Sequence, residues 1–276
     1  MAPIFRRETA LRGKRAAYPE VTLAELFHEN TKLRRPMAAP VAEAGRYDLR
    51  EMEAMARAYK IYRSHPQTPL PPLPADLVGP PIADVIAARR SHRNFSPDQL
   101  DLTELSAILQ WSYGVTAEVG IPGGARQSFR AAPSAGALYP AEIYLAARAV
   151  TGLEPGIYHF EVPNASLALL ERGDPTDRLH GICCGQDYAR QAGIVLLITA
   201  VLERTKRKYG ERGYRYVLLD IGHVAENLYL ACTALGLAVT TTGAFFDDDA
   251  ADLLGIDGCD EAVMYVAFVG KTDGGR

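Results

Sequence analysis

Apolar and polar positions repeat with two different periods along this chain, and the change from one to the other marks its elements. Thr22-Leu-Ala-Glu25 and Asp48-Leu-Arg-Glu51 both carry the capping-box pattern, in which a small polar residue and an acid three positions later satisfy helix-end amides. The first predicts a helix showing Leu23, Leu26 and Phe27. The second predicts one with a stripe of Leu49, Met52, Ala56, Tyr59 and Tyr62. Seven prolines between His65 and Pro81 then predict an extended, partly polyproline II segment lying across a surface. Pro80-Pro81 suits the first turn of a helix through Ile82-Ala-Asp-Val-Ile-Ala-Ala. A third capping box, Asp101-Leu-Thr-Glu104, predicts a helix with Leu102, Leu105, Ile108, Leu109 and Ser112 on one face, ending near Gly114. Glu118 to Gln127, with Gly120, Gly123 and Gly124, reads as a mobile loop.

Strand patterns dominate the C-terminal half of the chain. Glu142 to Arg148 predicts one strand, and Gly156–Val162 and Ser166–Glu171 predict a hairpin around Pro163-Asn164-Ala165. Ile194–Val201 and Ala262–Val269 are two more. Between them Ile221, Val224, Ala225, Leu228, Cys232 and Leu235 form the stripe of a helix over Asp220–Leu235, widened by Tyr229 and Ala231 and ended by Gly236. A helix apolar on nearly all sides is buried, often at a subunit interface. The fold class is therefore α+β, with helices around a central mixed or antiparallel sheet. Three parts are expected: a helical extension over 1–64, a proline-rich linker over 65–81 and a main domain over 82–276.

Composition narrows the function. With 276 residues, 48% apolar and 23% charged, the chain can bury a sizeable core. A formal charge of −3 gives no field that favours nucleic acid or an anionic membrane as a general partner. The longest apolar run, Ala192–Leu202, falls short of the roughly twenty residues a span needs. The N-terminus lacks a signal-peptide core, and four cysteines without C-x-x-C or zinc spacing fit a reduced, cytoplasmic setting with no metal.

Arg89-Arg90-Ser91-His92-Arg93 packs three guanidiniums and a hydroxyl into five residues at a helix end. Such a cluster offers forked donors to a phosphate or carboxylate, or else compensates the helix dipole in solvent. Pro133-Ser-Ala-Gly-Ala-Leu-Tyr-Pro140 offers small residues and open amides, which also suit a plain turn. Arg204, Lys206, Arg207, Lys208, Arg212 and Arg215 form a cationic run that by itself reads as a solvated helix face. Neither G-x-G-x-x-G nor a P-loop is present.

In this order, the motifs resemble the FMN-dependent nitroreductase superfamily, and within it the SagB-type, ThcOx-like dehydrogenase branch. The resemblance runs from Phe27-His-Glu-Asn-Thr-Lys-Leu33 to Gly270-Lys271. It includes Arg89–Phe95, Pro133–Pro140, Gly156-Ile-Tyr-His159, Lys208–Tyr216 and Gly222–Tyr229. It implies a domain-entwined homodimer with two FMN sites, each built from both subunits. Arg89, Arg90, Ser91 and Arg93 would then serve the FMN phosphate and ribityl chain. Pro133, Ser134, Ala135 and Gly136 would run past the isoalloxazine edge, and Thr242-Gly243 would pass its N5 and O4 side. Lys271 is a further phosphate candidate or an ordinary surface lysine.

In azoline dehydrogenases of this branch a Lys-Tyr pair is associated with catalysis, and Lys208-Tyr209 matches it. Lysine near 10.4 and tyrosine near 10 are weak bases at neutral pH unless neighbouring cations and desolvation lower the lysine. The implied activity passes hydride between substrate and flavin N5, oxidising an azoline or amide in a peptide-like natural product. A cyclodehydratase or carrier protein is the implied partner. The rivals are an NAD(P)H-dependent nitro or quinone reductase and a flavin-free scaffold in a biosynthetic complex. Glu226 replaces the commoner Gln of the Gly222 motif and adds a carboxylate near the expected interface. His223 reads as a buried helix histidine, and Trp111 and Tyr113 as core or interface aromatics.

Overall fold

A computed structural model describes residues 22–34, 53 and 59–272. Helix α1 (Leu23–Asn30) starts with the predicted capping box: the Glu25 amide donates to Thr22 Oγ1, and the Thr22 amide donates to the Glu25 carboxylate. Its far end is tied down, since Arg215 Nε donates to Thr31 Oγ1 at 2.6 Å and Arg212 Nη1 to the Thr31 carbonyl at 3.1 Å. The helix predicted from Asp48 lies mostly outside the described residues. Tyr59 and Tyr62 of its stripe are described, and neither is helical. Instead, Lys60 pairs with Glu261 and the Tyr62 hydroxyl lies 3.1 Å from that of Tyr144, so this stretch is anchored on buried polar groups.

Within the proline-rich segment, β1 (Gln67–Pro69) adds a short edge strand to the sheet, a place where proline's missing N–H is tolerated. Pro81 stands at the N-cap position of α2 (Ile82–Ala88) without a side-chain hydrogen bond, and Asp101 caps α3 (Leu102–Tyr113) through a complete capping box. The glycine-bearing stretch expected to be a loop is mostly a hairpin, β2 (Val115–Gly120) paired with β3 (Arg126–Arg130). Its turn is irregular, where Gly123 and Gly124 take φ of 89° and 82°, and its register shifts between Val115 and Ala117.

The central strands follow as predicted: β4 (Ala141–Ala147), then the hairpin β5 (Gly156–Glu161) and β6 (Ser166–Arg172). Two short helices, α4 (Thr176–Ile182) and α5 (Tyr188–Gln191), precede β7 (Ile194–Val201). Next come α6 (Glu203–Tyr209) and the long α7 (Gly213–Ala234). The chain ends with β8 (Ala238–Thr242), α8 (Asp247–Leu254) and β9 (Glu261–Gly270). Among the described residues the sheet runs β1-β6-β5-β4-β7-β9-β8, and every neighbouring pair is antiparallel.

Both faces of this sheet are covered, which is why its strands read as nearly unbroken apolar runs. Ile143 and Leu145 join the core under α3 and α7, whereas Tyr144 and Ala146 face the core under α4, α5 and α8. Burying Val217, Ile221, Val224 and Leu228 of α7 contributes roughly 1.5–3 kcal/mol each, before chain entropy is counted. The opposite side of α7 is open: Leu218, Leu219, His223 and Glu226 are exposed, so His223 is not the buried histidine its helix suggested. The periodicity of α7 is set by packing on the sheet, and His223 falls outside the packed stripe.

Candidate active site

Two groups of residues, on opposite sides of α7, carry the candidate chemistry. The first is the arginine segment at the end of α2. The His92 amide donates to the Val239 carbonyl at 2.8 Å and so registers the segment on β8. Arg90 turns back, donating from Nη1 to the carbonyls of Ala87 and Arg89. Arg89 stacks over the Tyr229 ring, 5.3 Å from its centroid. The Tyr229 hydroxyl lies 3.0 Å from Ser91 Oγ, accepts from the Thr241 amide at 3.1 Å and lies 3.2 Å from Thr241 Oγ1. One phenol thus joins the arginine segment to the end of β8. There the Ala244 amide donates to Thr242 Oγ1, Gln186 braces the Ala244 carbonyl, and Gly243 lies exposed. Lys271 is nearby in the chain fold, since the Ser96 amide donates to its carbonyl, but its ammonium pairs with Glu104.

The second group surrounds the loop between β3 and β4. Gly136, Ala137 and Tyr139 all lie in the left-handed region, with φ of 66°, 54° and 46°. Two of these are not glycine, and each such residue costs on the order of 1–3 kcal/mol. The loop is held in this shape from several directions. Ser134 Oγ donates to Asp220 Oδ2 at 2.5 Å and accepts from the Tyr139 amide at 2.9 Å. The Ala135 amide donates to Asp220 Oδ1 at 3.2 Å. Arg204 Nη1 donates to the Tyr139 carbonyl at 3.1 Å, and the Arg130 amide donates to the Tyr139 hydroxyl at 3.2 Å. Burial pushes the Asp220 carboxyl up, against the Ser134 and Ala135 hydrogen bonds that favour its charged form.

The loop meets Lys208 and Tyr209 at Gly136. A Cβ on Gly136 would sit 2.7 Å from the Tyr209 hydroxyl and 2.8 Å from Lys208 Nζ. The two polar ends therefore converge on one point, over a residue that needs a left-handed φ and has no room for a side chain. The Tyr209 ring is fixed edge-on against Tyr216 with centroids 4.9 Å apart. Pro133 and Gly136 are not buried, so the strip is open on its outer side.

These residues fit a flavin nucleotide. Among the described residues no carboxylate pairs with Arg89, Arg90 or Arg93, so the segment carries positive charge without acidic partners, which suits a dianionic phosphate. The open glycine strip suits the close approach of a flat ring. The nitroreductase family profile matches residues 86–271, a span that holds every segment above.

The chain belongs to the nitroreductase family. It is an oxidoreductase of flavin type, and FMN is the family's cofactor. MJ1384 of Methanocaldococcus jannaschii, which carries the name nitroreductase, is 42% identical over 175 residues, covering 63% of this chain and 84% of that protein. The trifolitoxin-processing protein TfxB of Rhizobium leguminosarum bv. trifolii is 27% identical over 178 residues, covering 63% of this chain and 48% of TfxB. A solved structure from Anabaena variabilis, also named as a nitroreductase, superposes with a TM-score of 0.71 and 26% identity over 91% of this chain and 46% of that one. The chain thus spans under half the length of these last two. Among the described residues no helix is long and apolar enough to cross a membrane, and no cluster of acidic, His and Cys side chains is arranged to hold a metal.

Asp220, Tyr229, Arg204 and Arg130 have no site role in the sequence reading. Asp220 had a usable signal, an acid within an otherwise apolar helical stripe. Tyr229 looked like core, because its hydroxyl partners lie 138 and 12 residues away. Arg130 is buried among the rings of Tyr59, Tyr113 and Tyr139, with Nε and Nη1 unpartnered among the described residues, and no local pattern foretells that.

Proposed function

We propose that this protein is an FMN-dependent dehydrogenase of the SagB type, oxidising an azoline or related amide in a peptide-derived natural product. The observation that carries this reading is the convergence of Lys208 Nζ and Tyr209 OH on Gly136. An azoline becomes an azole by losing a proton from one ring carbon and a hydride from its neighbour, with a new double bond between them. When bound, FMN supplies the two-electron acceptor for that hydride. Lys208 and Tyr209 take and hold the proton, and the Gly136 strip lets the ring approach them. The likeness to TfxB, a toxin-processing protein, supports a peptide substrate. A cyclodehydratase or carrier protein delivering the substrate belongs to the same reading.

Arg89, Arg90, Ser91 and Arg93 hold the phosphate, with Thr242 and Gly243 beside the ring, in this reading. Asp220 and Tyr229, the residues tied to the two groups, are nine positions apart on α7, which turns them about half a revolution from each other. A homodimer brings the phosphate group of one copy to the glycine strip of the other, which completes two sites. The exposed Leu218 and Leu219 supply apolar surface for that contact.

The likeness to MJ1384 favours a second reading, an NAD(P)H-dependent reductase of nitro compounds or quinones. One experiment separates the two. The purified yellow protein is mixed without oxygen with a synthetic thiazoline peptide, and separately with NADPH. Bleaching by the thiazoline peptide, lost in Lys208→Ala and Tyr209→Phe while flavin stays bound, is the expected result. Rapid bleaching by NADPH with no response to the azoline overturns it in favour of the reductase.

A further inference from the structure

We propose that Arg204 is a positioning residue, which with Glu142 and His159 sets the distance between the Lys208–Tyr209 pair and the Gly136 loop. The proposal rests on the reading of Lys208 and Tyr209 as the proton-transfer pair.

Arg204 stands four residues before Lys208 on α6, one helical turn away on the same side. Its guanidinium is buried and reaches in two directions. Nη1 donates to the carbonyl of Tyr139, the residue that closes the strained loop. Nη2 lies 2.6 Å from Glu142 Oε1 on β4, three residues further along. The N–H does not aim along that contact, so the pairing is coulombic, and Glu142 Oε1 has no linear hydrogen bond. Glu142 Oε2 is in turn 2.9 Å from Nε2 of His159 on β5, a ring with no solvent exposure. Both partners of Arg204 therefore belong to the continuous stretch that carries Ser134, Ala135 and Gly136 into the sheet.

The other side of α6 is fixed by close approach. A Cβ on Gly213, the first residue of α7, would lie 3.0 Å from the Lys206 Cα and 3.1 Å from the Thr205 carbonyl. The helix is held between that contact and the Arg204 clamp. The Tyr209 ring leans on Tyr216 of α7 and its hydroxyl on Gly136, so a tilt of α6 alters both contacts.

Stability is a poor explanation for this buried pair. Desolvating two charges costs about as much as their attraction returns, and apolar replacements of similar volume are often neutral. What an apolar pair lacks is direction. Here the guanidinium holds the end of the loop by a directed hydrogen bond to the Tyr139 carbonyl, and its charge holds Glu142 on the strand that the loop enters.

The test compares the wild type with the charge-free double variant Arg204→Met/Glu142→Leu, which leaves no orphan ion, and with Glu142→Gln. The protein is labelled with 13C at the tyrosine Cζ, and the Tyr209 resonance is assigned with Tyr209→Phe. The double variant is expected to fold, to retain FMN, and to show a displaced Tyr209 resonance. With a synthetic thiazoline peptide its kcat should fall about 100-fold while KM stays within about twofold, the pattern of a misplaced reacting group. Glu142→Gln should give the same signature, weaker in size. A Tyr209 resonance at the wild-type position in both variants overturns the clamp, whatever happens to turnover. If Lys208→Ala and Tyr209→Phe turn over normally, the proton-transfer reading fails, and the resonance alone still decides whether Arg204 positions the pair.

Discussion

Replacing Gly136 with alanine adds one methyl group where the structure leaves none. Two costs arise, and they fall on different observables. The first is conformational: φ of 66° suits glycine, and an L-residue in that region costs about 1–2 kcal/mol. For a chain of this size that lowers Tm by about 2–4 °C per kcal/mol. The second is steric, because the methyl would lie 2.7 Å from the Tyr209 hydroxyl and 2.8 Å from Lys208 Nζ. Carbon needs about 3.5 Å or more from a heavy atom it is not bonded to, so both polar ends must retreat by most of an ångström. They are the tips of flexible side chains, so the fold absorbs the movement. Catalysis does not, since misplacement on that scale costs on the order of 100-fold in rate. Gly136→Ala should therefore keep its FMN, melt only a few degrees lower, and lose about 100-fold in kcat toward a thiazoline peptide. Flavin absorbance, a thermal melt and the growth of azole absorbance measure the three quantities. An alanine variant with full flavin and wild-type kcat would refute the idea that the two side chains act at that point.

Three further outcomes are expected. Burial would raise the Glu142 carboxyl, but the His159 hydrogen bond and the Arg204 charge outweigh it and hold it at about 2 instead of 4.5. A depressed carboxyl stabilises the fold above its unfolded value and loses that contribution as pH falls from 4.5 toward 2. Glu142→Gln should thus be less stable than wild type by about 3 kcal/mol at pH 7 in urea melts, with the gap closing across that acid window. A gap independent of pH would contradict it. Tyr229→Phe removes the hydroxyl shared by Ser91 and Thr241, at about 1 kcal/mol for each of the two bonds, so FMN should bind roughly 30-fold more weakly by fluorescence titration. Arg89→Ala and Arg93→Ala should each weaken FMN by about 10–100-fold, as loss of a charge-assisted phosphate contact implies, and should flatten the salt dependence of binding. Unchanged affinity in both would remove the arginine segment from the cofactor site.

Some of this protein was legible one segment at a time. The capping boxes at Thr22 and Asp101 need only residues three apart, so those helix starts were readable. The strands from Ala141, Ile194 and Glu261 are buried on both faces and left long apolar runs. Elsewhere local pattern misled. Glycines between Glu118 and Gln127 suggested a loop, yet two of them only turn a hairpin. Short β8 is rich in the β-branched residues that strands favour, but it has only five residues and no apolar–polar alternation, and its pairing with β9 is what defines it. Helix α7 begins at Gly213, ahead of the predicted start at Asp220, and packs closely on α6 there.

Residue types and motif order by themselves determined the fold class, the family likeness and the identity of the candidate groups. They did so because capping, periodicity and guanidinium chemistry are properties of neighbouring residues. Tertiary structure alone decided that Lys208 and Tyr209 converge on Gly136, that Asp220 and Arg204 hold the loop, and that Tyr229 joins Ser91 to Thr241. Those partners are far apart along the chain, and only the packing of α6 and α7 against one antiparallel sheet brings them within hydrogen-bond reach.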